Sequence, residues 1–576
     1  MRASGILMPI FSLPSRYGIG SFSREAYEFV DFLVEAGQKY WQILPIGPTG
    51  YGDSPYQSFS TFAGNPYFID LEQLIQEGVL TRTECARPQF DLKKKIDYYK
   101  LYKKRYELLR LAYTRSNVGE NEAFHEFQRE NAYWLNDYAL FMAIKDRFGG
   151  KAWDEWADDI RFRYPNAMEY YQSECYFDVE FYEYTQFLFF QQWMKLKQYA
   201  NDHGVSIIGD IPIYVAFDSS DVWSHPDYFE FDEEGHPRVV AGCPPDGFAA
   251  DGQLWGNPIY RWDYMKETGF DWWLRRIGAC YKIYDAIRID HFRGFDEFYA
   301  IPYGEETAVN GQWCKGPGIE FFRKVQETFG TDKLIIAEDL GYVTDTVKQL
   351  VADSGYPGMK VIEFAFDRRD SSSPVGYLPY NYTQNTVCYT GTHDNETLVG
   401  WLEEITPAEY QDVLDYLGIV EEELDRASKS ELKFLKLQEK TEAEKAKAKA
   451  KAEQVPAKKK VTSTKEAKPD IAGAEEEASS QQDEKVTKAE QRRRDQERLL
   501  KIKNRRIAYQ LIRSVESSVS DLCIIPLQDY LGLGSEARIN TPSTDSGNWQ
   551  WRVKSEQMTD DLAAYIKKLA VTYGRV

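Results

Sequence analysis

Eight short runs of apolar, often β-branched residues recur along the chain, each followed by polar or glycine-containing turns. They are GILMPIF from Gly5, YWQILPIG from Tyr40, VSIIGDIPIY from Val205 and AIRID from Ala286. LIIAED from Leu334, KVIEFAF from Lys360, TVCYTGTHD from Thr386 and LCIIPLQD from Leu522 complete the set. Near-continuous apolar runs belong to strands buried on both faces, the pattern of a parallel sheet. Helical patterns lie between several of them. TQFLFFQQWMKLKQYANDHG is amphipathic and ends in a glycine just before the third run. Eight strands alternating with helices predict a (β/α)8 TIM barrel of the α/β class rather than an open doubly wound sheet. A dinucleotide-binding sheet would carry G-x-G-x-x-G after its first strand, and none stands there.

Two long segments interrupt this rhythm. Residues 65–200, between the second and third strands, are rich in aromatic and charged positions at helical spacing, as in YYKLYKKRYELLRLAY. So long a connection needs structure of its own, and a helical insertion is expected there. Residues 425–503 differ in kind: aromatics nearly vanish and Lys, Glu and Ala dominate. Such a composition buries too little apolar surface to offset chain entropy, so the expectation is disorder or solvated helix. A basic tether for an acidic partner is the alternative, weakened by the acidic blocks interleaved with the basic ones. The expected organisation is a catalytic barrel over 1–424 with strands one to seven, the insertion, and completion of the barrel over 504–576. The residues after the eighth strand are helical in pattern, so no C-terminal β-sandwich is expected.

Charge and composition narrow the function. Hydrophobic residues make up 43%, enough for a large globular core, and the formal net charge of −21 disfavours a nucleic-acid or anionic-membrane surface. No run is long enough for a membrane helix, and the N-terminal apolar run is broken by Pro9 and Pro14. Seven scattered cysteines, odd in number and without C-x-x-C, point to the cytoplasm rather than a disulfide framework. Neither histidines nor cysteines cluster, so no metal site and no cofactor are expected.

In a barrel of this kind, chemistry gathers at the carboxyl ends of the strands. Acids fall there repeatedly: Asp210 in VSIIGD, Asp290 in AIRID, Glu338 in LIIAE and Asp394 in YTGTHD. Converging carboxylates repel each other unless cations or a function hold them, and a well-placed pair suits glycosidic-bond chemistry. Arg288 and Asp290 are two apart on a strand and so face the same side. The guanidinium would keep Asp290 ionised, as a nucleophile must be. Glu338 needs the opposite tuning to donate a proton. His393 and Asp394 suit sugar hydroxyls and the electron-poor ring of the transition state. Arg293, beyond the strand end, reads as structural. An internal ion-pair network is the rival for RIDHFRG alone, and AEDLG and GTHDNET at matching strand ends weigh against it.

These blocks, with GPTGYGDSPYQSFSTFAGNPYFIDL, GDIPIYV, PPDGFAADGQLWGNPIY and PLQDYLGLGSEARINTP, resemble the 4-α-glucanotransferases of glycoside hydrolase family 77, the amylomaltases or disproportionating enzymes. The resemblance runs from near the N-terminus to about 424 and resumes near 504. It implies transfer of α-1,4-glucan segments between maltooligosaccharides or starch-like glucans by a retaining double displacement. It implies Asp290 as nucleophile, Glu338 as general acid/base and Asp394 as transition-state stabiliser. Arg288 and His393 would join them at the bond-breaking subsite, with Asp210 among the substrate-binding residues. Tyr56 would stack near the scissile sugar, Ser54 and Gln57 would make polar contacts, and Tyr51 would belong to a more remote glucan surface. A covering loop would bring Asp246, Phe248 and Trp255, and a second loop Asn540. Aromatic faces against pyranose rings and carboxylates on hydroxyls are the matching chemistry.

Departures lie at the periphery. Gly247 stands at a position often aromatic in the covering loop, and Ile539 and the STDS after Pro542 alter the second loop. Two rivals stay in view: an α-amylase-type hydrolase, and a non-catalytic glucan-binding scaffold.

Overall fold

Twelve strands form among the residues described by the computed structural model, which are 2–90, 95–245, 250–341, 343–369, 374–453, 475–544 and 546–576. They are β1 (Ala3–Leu7), β2 (Tyr40–Gln42), β3 (Ser206–Pro212), β4 (Val239–Cys243), β5 (Gln253–Pro258) and β6 (Ala286–Asp290). After them come β7 (Glu297–Pro302), β8 (Gln312–Lys315), β9 (Ile335–Ala337), β10 (Gly358–Val361), β11 (Thr386–Tyr389) and β12 (Leu522–Pro526). Eight of these close a barrel in the order β1-β12-β11-β10-β9-β6-β3-β2, and β1 pairs with β2 to seal it. Every pairing around it is parallel. The eight barrel strands are the eight apolar runs of the sequence. Along β6 the isoleucines Ile287 and Ile289 are fully buried, while Arg288 and Asp290 take the alternate side.

The other four strands were not anticipated. β4, β5, β7 and β8 make an antiparallel sheet in the order β5-β4-β7-β8, built from the connections that follow β3 and β6. A register shift lies between Val240 and Gly242, where β4 meets β5. A Cβ on Gly242 would stand 2.2 Å from the Gln253 carbonyl oxygen, so only glycine permits that approach.

Between β2 and β3 the chain is mainly helical. The helices Tyr98–Arg115, Glu122–Arg147 and Tyr176–Asp202 are the longest there. Asn121 caps the second by accepting bonds from the backbone N–H of Ala123 and Phe124. The third ends just before Gly204, whose φ of +77° suits glycine. Edge-on and tilted ring pairs such as Phe124–Phe187 and Trp134–Phe190 pack the second against the third.

Contacts divide the chain into two units. One comprises Met1–Thr397, Ile512–Leu531 and Ser535–Val576 and contains the whole barrel; the other comprises Leu398–Leu511 and Gly532–Gly534. The second unit includes the helices Pro407–Leu417 and Glu421–Glu453 and most of Glu475–Ser517. Within it Arg505 and Arg506 both bind Glu431, Lys503 pairs with Asp425, and Arg498 with Glu439. Among the described residues no helix is long and apolar enough to cross a membrane, and no group of three or more His, Cys, Asp or Glu could hold a metal.

Near the C-terminus, Arg575 is fully buried and bonds four backbone carbonyls: Ala3 at the start of β1, and Glu516, Ser518 and Ser520 before β12. Its Nε also lies 3.1 Å from Oε2 of the equally buried Glu516. Arg575→Ala takes the ion-pair partner from the buried Glu516, leaving that carboxylate the Tyr530 hydroxyl, and is expected to cost about 3–5 kcal/mol of barrel stability. Thermal and urea unfolding of the full chain check this, with a clear fall in both midpoints as the expected outcome.

Candidate active site

The carboxyl ends of β3 and β6 meet in register, with Asp210 directly opposite Arg288. Strand pleating turns both side chains to the barrel interior. Arg288 Nη1 binds both Asp210 oxygens at 2.8 and 2.7 Å, and its Nη2 binds Asp290 Oδ1 at 2.9 Å. The Arg288 and Asp210 side chains are buried, whereas 29% of the Asp290 side chain stays open. A single guanidinium is thus shared between a buried acid and an accessible one. Tyr56 adds a third contact: its hydroxyl donates to Asp210 Oδ2 at 2.7 Å. Asp210, expected from sequence to touch substrate, is instead enclosed by Arg288 and Tyr56. It lies a layer below the cleft, because its place within β3 aims it into the barrel rather than over the rim.

Glu338 follows directly on β9. His291, just past β6, adopts φ +52°, and its backbone N–H donates to Glu338 Oε2 at 2.7 Å. The Leu340 N–H holds Oε1 at 2.9 Å. Main-chain bonds Glu338 N–H to Ile289 O and Phe292 N–H to Glu338 O carry the β6–β9 pairing past the strand ends. Burial pushes the Glu338 carboxyl up to about 8, with the negative charge of Asp290 adding to the effect against Arg288 and the two N–H bonds. Asp290 is also pushed up by burial, to about 6, because Asp210 and Asp394 offset part of the pull of Arg288. The guanidinium expected to keep Asp290 ionised thus acts against burial and two neighbouring acids.

His393 and Asp394 lie on the turn after β11. The His393 ring stacks on Tyr56 at 5.0 Å and 12°, and its Nε2 is 3.4 Å from Asp394 Oδ1. Asn540 Nδ2 donates to the same Oδ1 at 2.7 Å. Trp549 tilts against Tyr56 and His393, with centroids 5.9 and 6.0 Å away. On the far side Trp255 meets His291 edge to face at 4.8 Å. Burial and Arg293 lower His291 to about 3, so this imidazole is neutral. The Arg293 guanidinium itself stacks 3.9 Å from the Trp313 ring.

These groups enclose a cleft of about 520 Å³, large enough for a chain of sugar rings. Ser54, Tyr56, Gln57 and Trp255 line it together with Asp290, His393, Asp394 and Asn540. Trp255 stands on β5, not on an irregular loop. Gln57 reaches Asn257 at 3.2 Å. Asp246 and Phe248 lie outside the described residues, and of Tyr51 only the backbone is described, in a tight turn. Sequence reasoning passed over Tyr214, His291 and Trp549, which also line the cleft. Tyr214 and His291 sit inside motifs singled out above (GDIPIYV and RIDHFRG), and Trp549 lies in GNWQWR a few residues after ARINTP, but no periodicity marks which residue of a motif faces inward.

The 4-alpha-glucanotransferase family model, glycoside hydrolase family 77, matches residues 8–559. This chain belongs to that family. Within it, the 4-alpha-glucanotransferase of Clostridium butyricum is 43% identical over 571 residues, covering 99% of this chain and 100% of its own. That of Streptococcus pneumoniae (strain TIGR4) is 40% identical and covers 100% of this chain and 98% of its own. The solved amylomaltase from Streptococcus agalactiae, in complex with acarbose, superposes with a TM-score of 0.82 at 38% identity over the whole of both chains. Asp290 and Glu338 are both pushed up, to about 6 and about 8. At pH 7 Glu338 is expected to be protonated and Asp290 ionised. Infrared difference spectra of the parent against Glu338→Gln should show a protonated-carboxyl C=O band at pH 7 that fades above about pH 9. Absence of that band at pH 7 would contradict the assignment.

Proposed function

We propose that the protein transfers α-1,4-glucan segments between maltooligosaccharides or starch-like glucans through a covalent glycosyl-enzyme. What supports this reading is Asp290 lining an aromatic cleft, with Glu338 at the end of the neighbouring strand, where the charge of Asp290 raises its proton affinity. Arg288 holds Asp290 Oδ1, which leaves Oδ2 to attack the anomeric carbon. As that bond forms, the glycosidic C–O bond breaks and Glu338 gives its proton to the departing 4-oxygen. Glu338 then takes the proton of an incoming 4-hydroxyl, whose oxygen displaces Asp290, with net retention. Asp394, held through Oδ1 by Asn540 and His393, presents its other oxygen to the ring as positive charge develops. Tyr56 and Trp255, which border the cleft, offer aromatic surface to the sugar rings. Pro542, Ser543 and Thr544 border the same cleft, so the segment after Asn540 is placed to keep water from the intermediate. We assign the protein to the cytoplasm on the scattered, odd-numbered cysteines of its sequence.

Incubation with maltotriose tests the reaction: glucose plus maltotetraose and longer chains is the expected product set, and glucose with maltose alone would mean hydrolysis. Asp290→Asn should lower kcat by about 10³-fold or more. A parent and a variant that both bind glucan and turn none over would favour a binding scaffold. The rate should rise with pH as Asp290 loses its proton near 6 and fall as Glu338 loses its own near 8, giving a bell-shaped kcat/KM. The charge of Asp210 raises the Asp290 step, so Asp210→Asn should move the acid limb to lower pH. A limb that stays or moves upward would refute that coupling.

A further inference from the structure

Beneath His393 and Asp394 lies a layer of charged side chains that the proposed reaction does not use. Arg538 spans it, with its guanidinium reaching three acceptors in three directions. Nε donates to the Asn540 carbonyl at 2.8 Å, Nη2 to the Asp394 carbonyl at 3.0 Å, and Nη1 to Glu396 Oε2 at 3.1 Å. Glu396 is nearly buried, with 6% of its side chain exposed, and Arg538 is half-buried at 22%. The two segments so joined touch twice more: Asn540 N–H donates to the His393 carbonyl at 3.2 Å, and Asn540 Nδ2 to Asp394 Oδ1 at 2.7 Å.

The Asp394 turn is fixed from within as well. Asn395 Oδ1 accepts from the Thr392 N–H and hydroxyl, and its Nδ2 donates to the buried Glu363. Those bonds shape the turn without setting its distance from the Asn540 segment. The remaining link across is Arg538, which grips the main chain of both residues whose side chains meet over the cleft.

We propose that Arg538 is a positioning residue for glucan transfer: it ties the Asp394 turn to the Asn540 segment and so fixes the Asp394 carboxylate against the sugar, with Glu396 anchoring the fork. This rests on the role given to Asp394 above. A carboxylate displaced by about 1 Å loses much of its hold on a transition state while still binding substrate, so the effect falls on kcat. Lysine keeps the charge beside Glu396 but offers a single nitrogen in place of a rigid planar fork.

The test uses the full chain with maltotriose as substrate. Arg538→Lys should lower kcat about 30-fold and Glu396→Gln about 5-fold, with KM within about 2-fold of the parent. In an Asn540→Ala background the Arg538→Lys factor should shrink below about 3-fold, because the tie no longer ends on the Asp394 carboxylate. The proposal is overturned if kcat of Arg538→Lys stays within about 2-fold, if its factor is the same in both backgrounds, or if the loss appears only in KM. Should Arg538→Lys not fold, near-isosteric Glu396→Gln decides by the same kcat and KM criterion. Asp394→Asn is measured alongside. If it keeps its kcat, the reading of Asp394 fails; if it loses kcat while Arg538→Lys does not, the positioning role alone fails.

Discussion

The site depends on one buried guanidinium. Arg288 sits inside the barrel with Asp210 on one side and Asp290 on the other, and removing either acid changes what the cation does to its neighbour. An arginine this deep would be strongly destabilising without a partner. Asp210 meets that requirement with two short bonds, at a place set by the β3–β6 register. Register is a property of the whole barrel, so the local chemistry rests on the closure of eight strands. Burial, together with Asp290 receiving only part of the positive charge, keeps its proton on to a higher pH than an ordinary surface aspartate.

Much of this was legible in the sequence, for physical reasons. Parallel barrel strands are buried on both faces, so each reads as an apolar run, and the acids that break the runs mark the carboxyl ends. Asp290 and Glu338 were found in this way, and Asp394 a few residues beyond its strand. The sheet of β4, β5, β7 and β8 was not legible. Its strands are short, one pairing carries a bulge, and Gly242, Gly256 and Pro258 within them resemble turn residues. Trp255 was therefore expected on a loop, whereas it lies within β5, between the paired Leu254 and Pro258 where the register shifts.

Asp210 shows a different limit. A strand-end acid can point over the rim or into the barrel according to how far along the strand it stands, and Asp210 pairs with Arg288, two positions short of Asp290. Sequence supplied the acid but not the depth. Arg538 lay further from reach. Two of its three acceptors are backbone carbonyls, one of them more than a hundred residues away, and no side-chain pattern encodes a main-chain partner. Tertiary hydrogen bonds to carbonyls are the part of a site that spacing rules do not capture.

The electrostatics also explain how one glutamate could serve both halves of the proposed reaction. Burial and the negative charge of Asp290 together hold the Glu338 carboxyl protonated at neutral pH. When Asp290 becomes an ester to the sugar, that negative charge disappears while Arg288 stays. The terms that then remain on Glu338 are burial, which favours its proton, and Arg288 with the His291 and Leu340 N–H groups, which favour its loss. Its proton affinity falls at the moment the reaction needs a base. When the acceptor oxygen displaces Asp290 the charge returns, and with it the affinity for the proton just taken. Asp210 matters here too: by drawing on Arg288 it keeps Asp290 basic enough to attack, and a lone Arg288–Asp290 pair would hold the carboxylate in a more stable, less nucleophilic state.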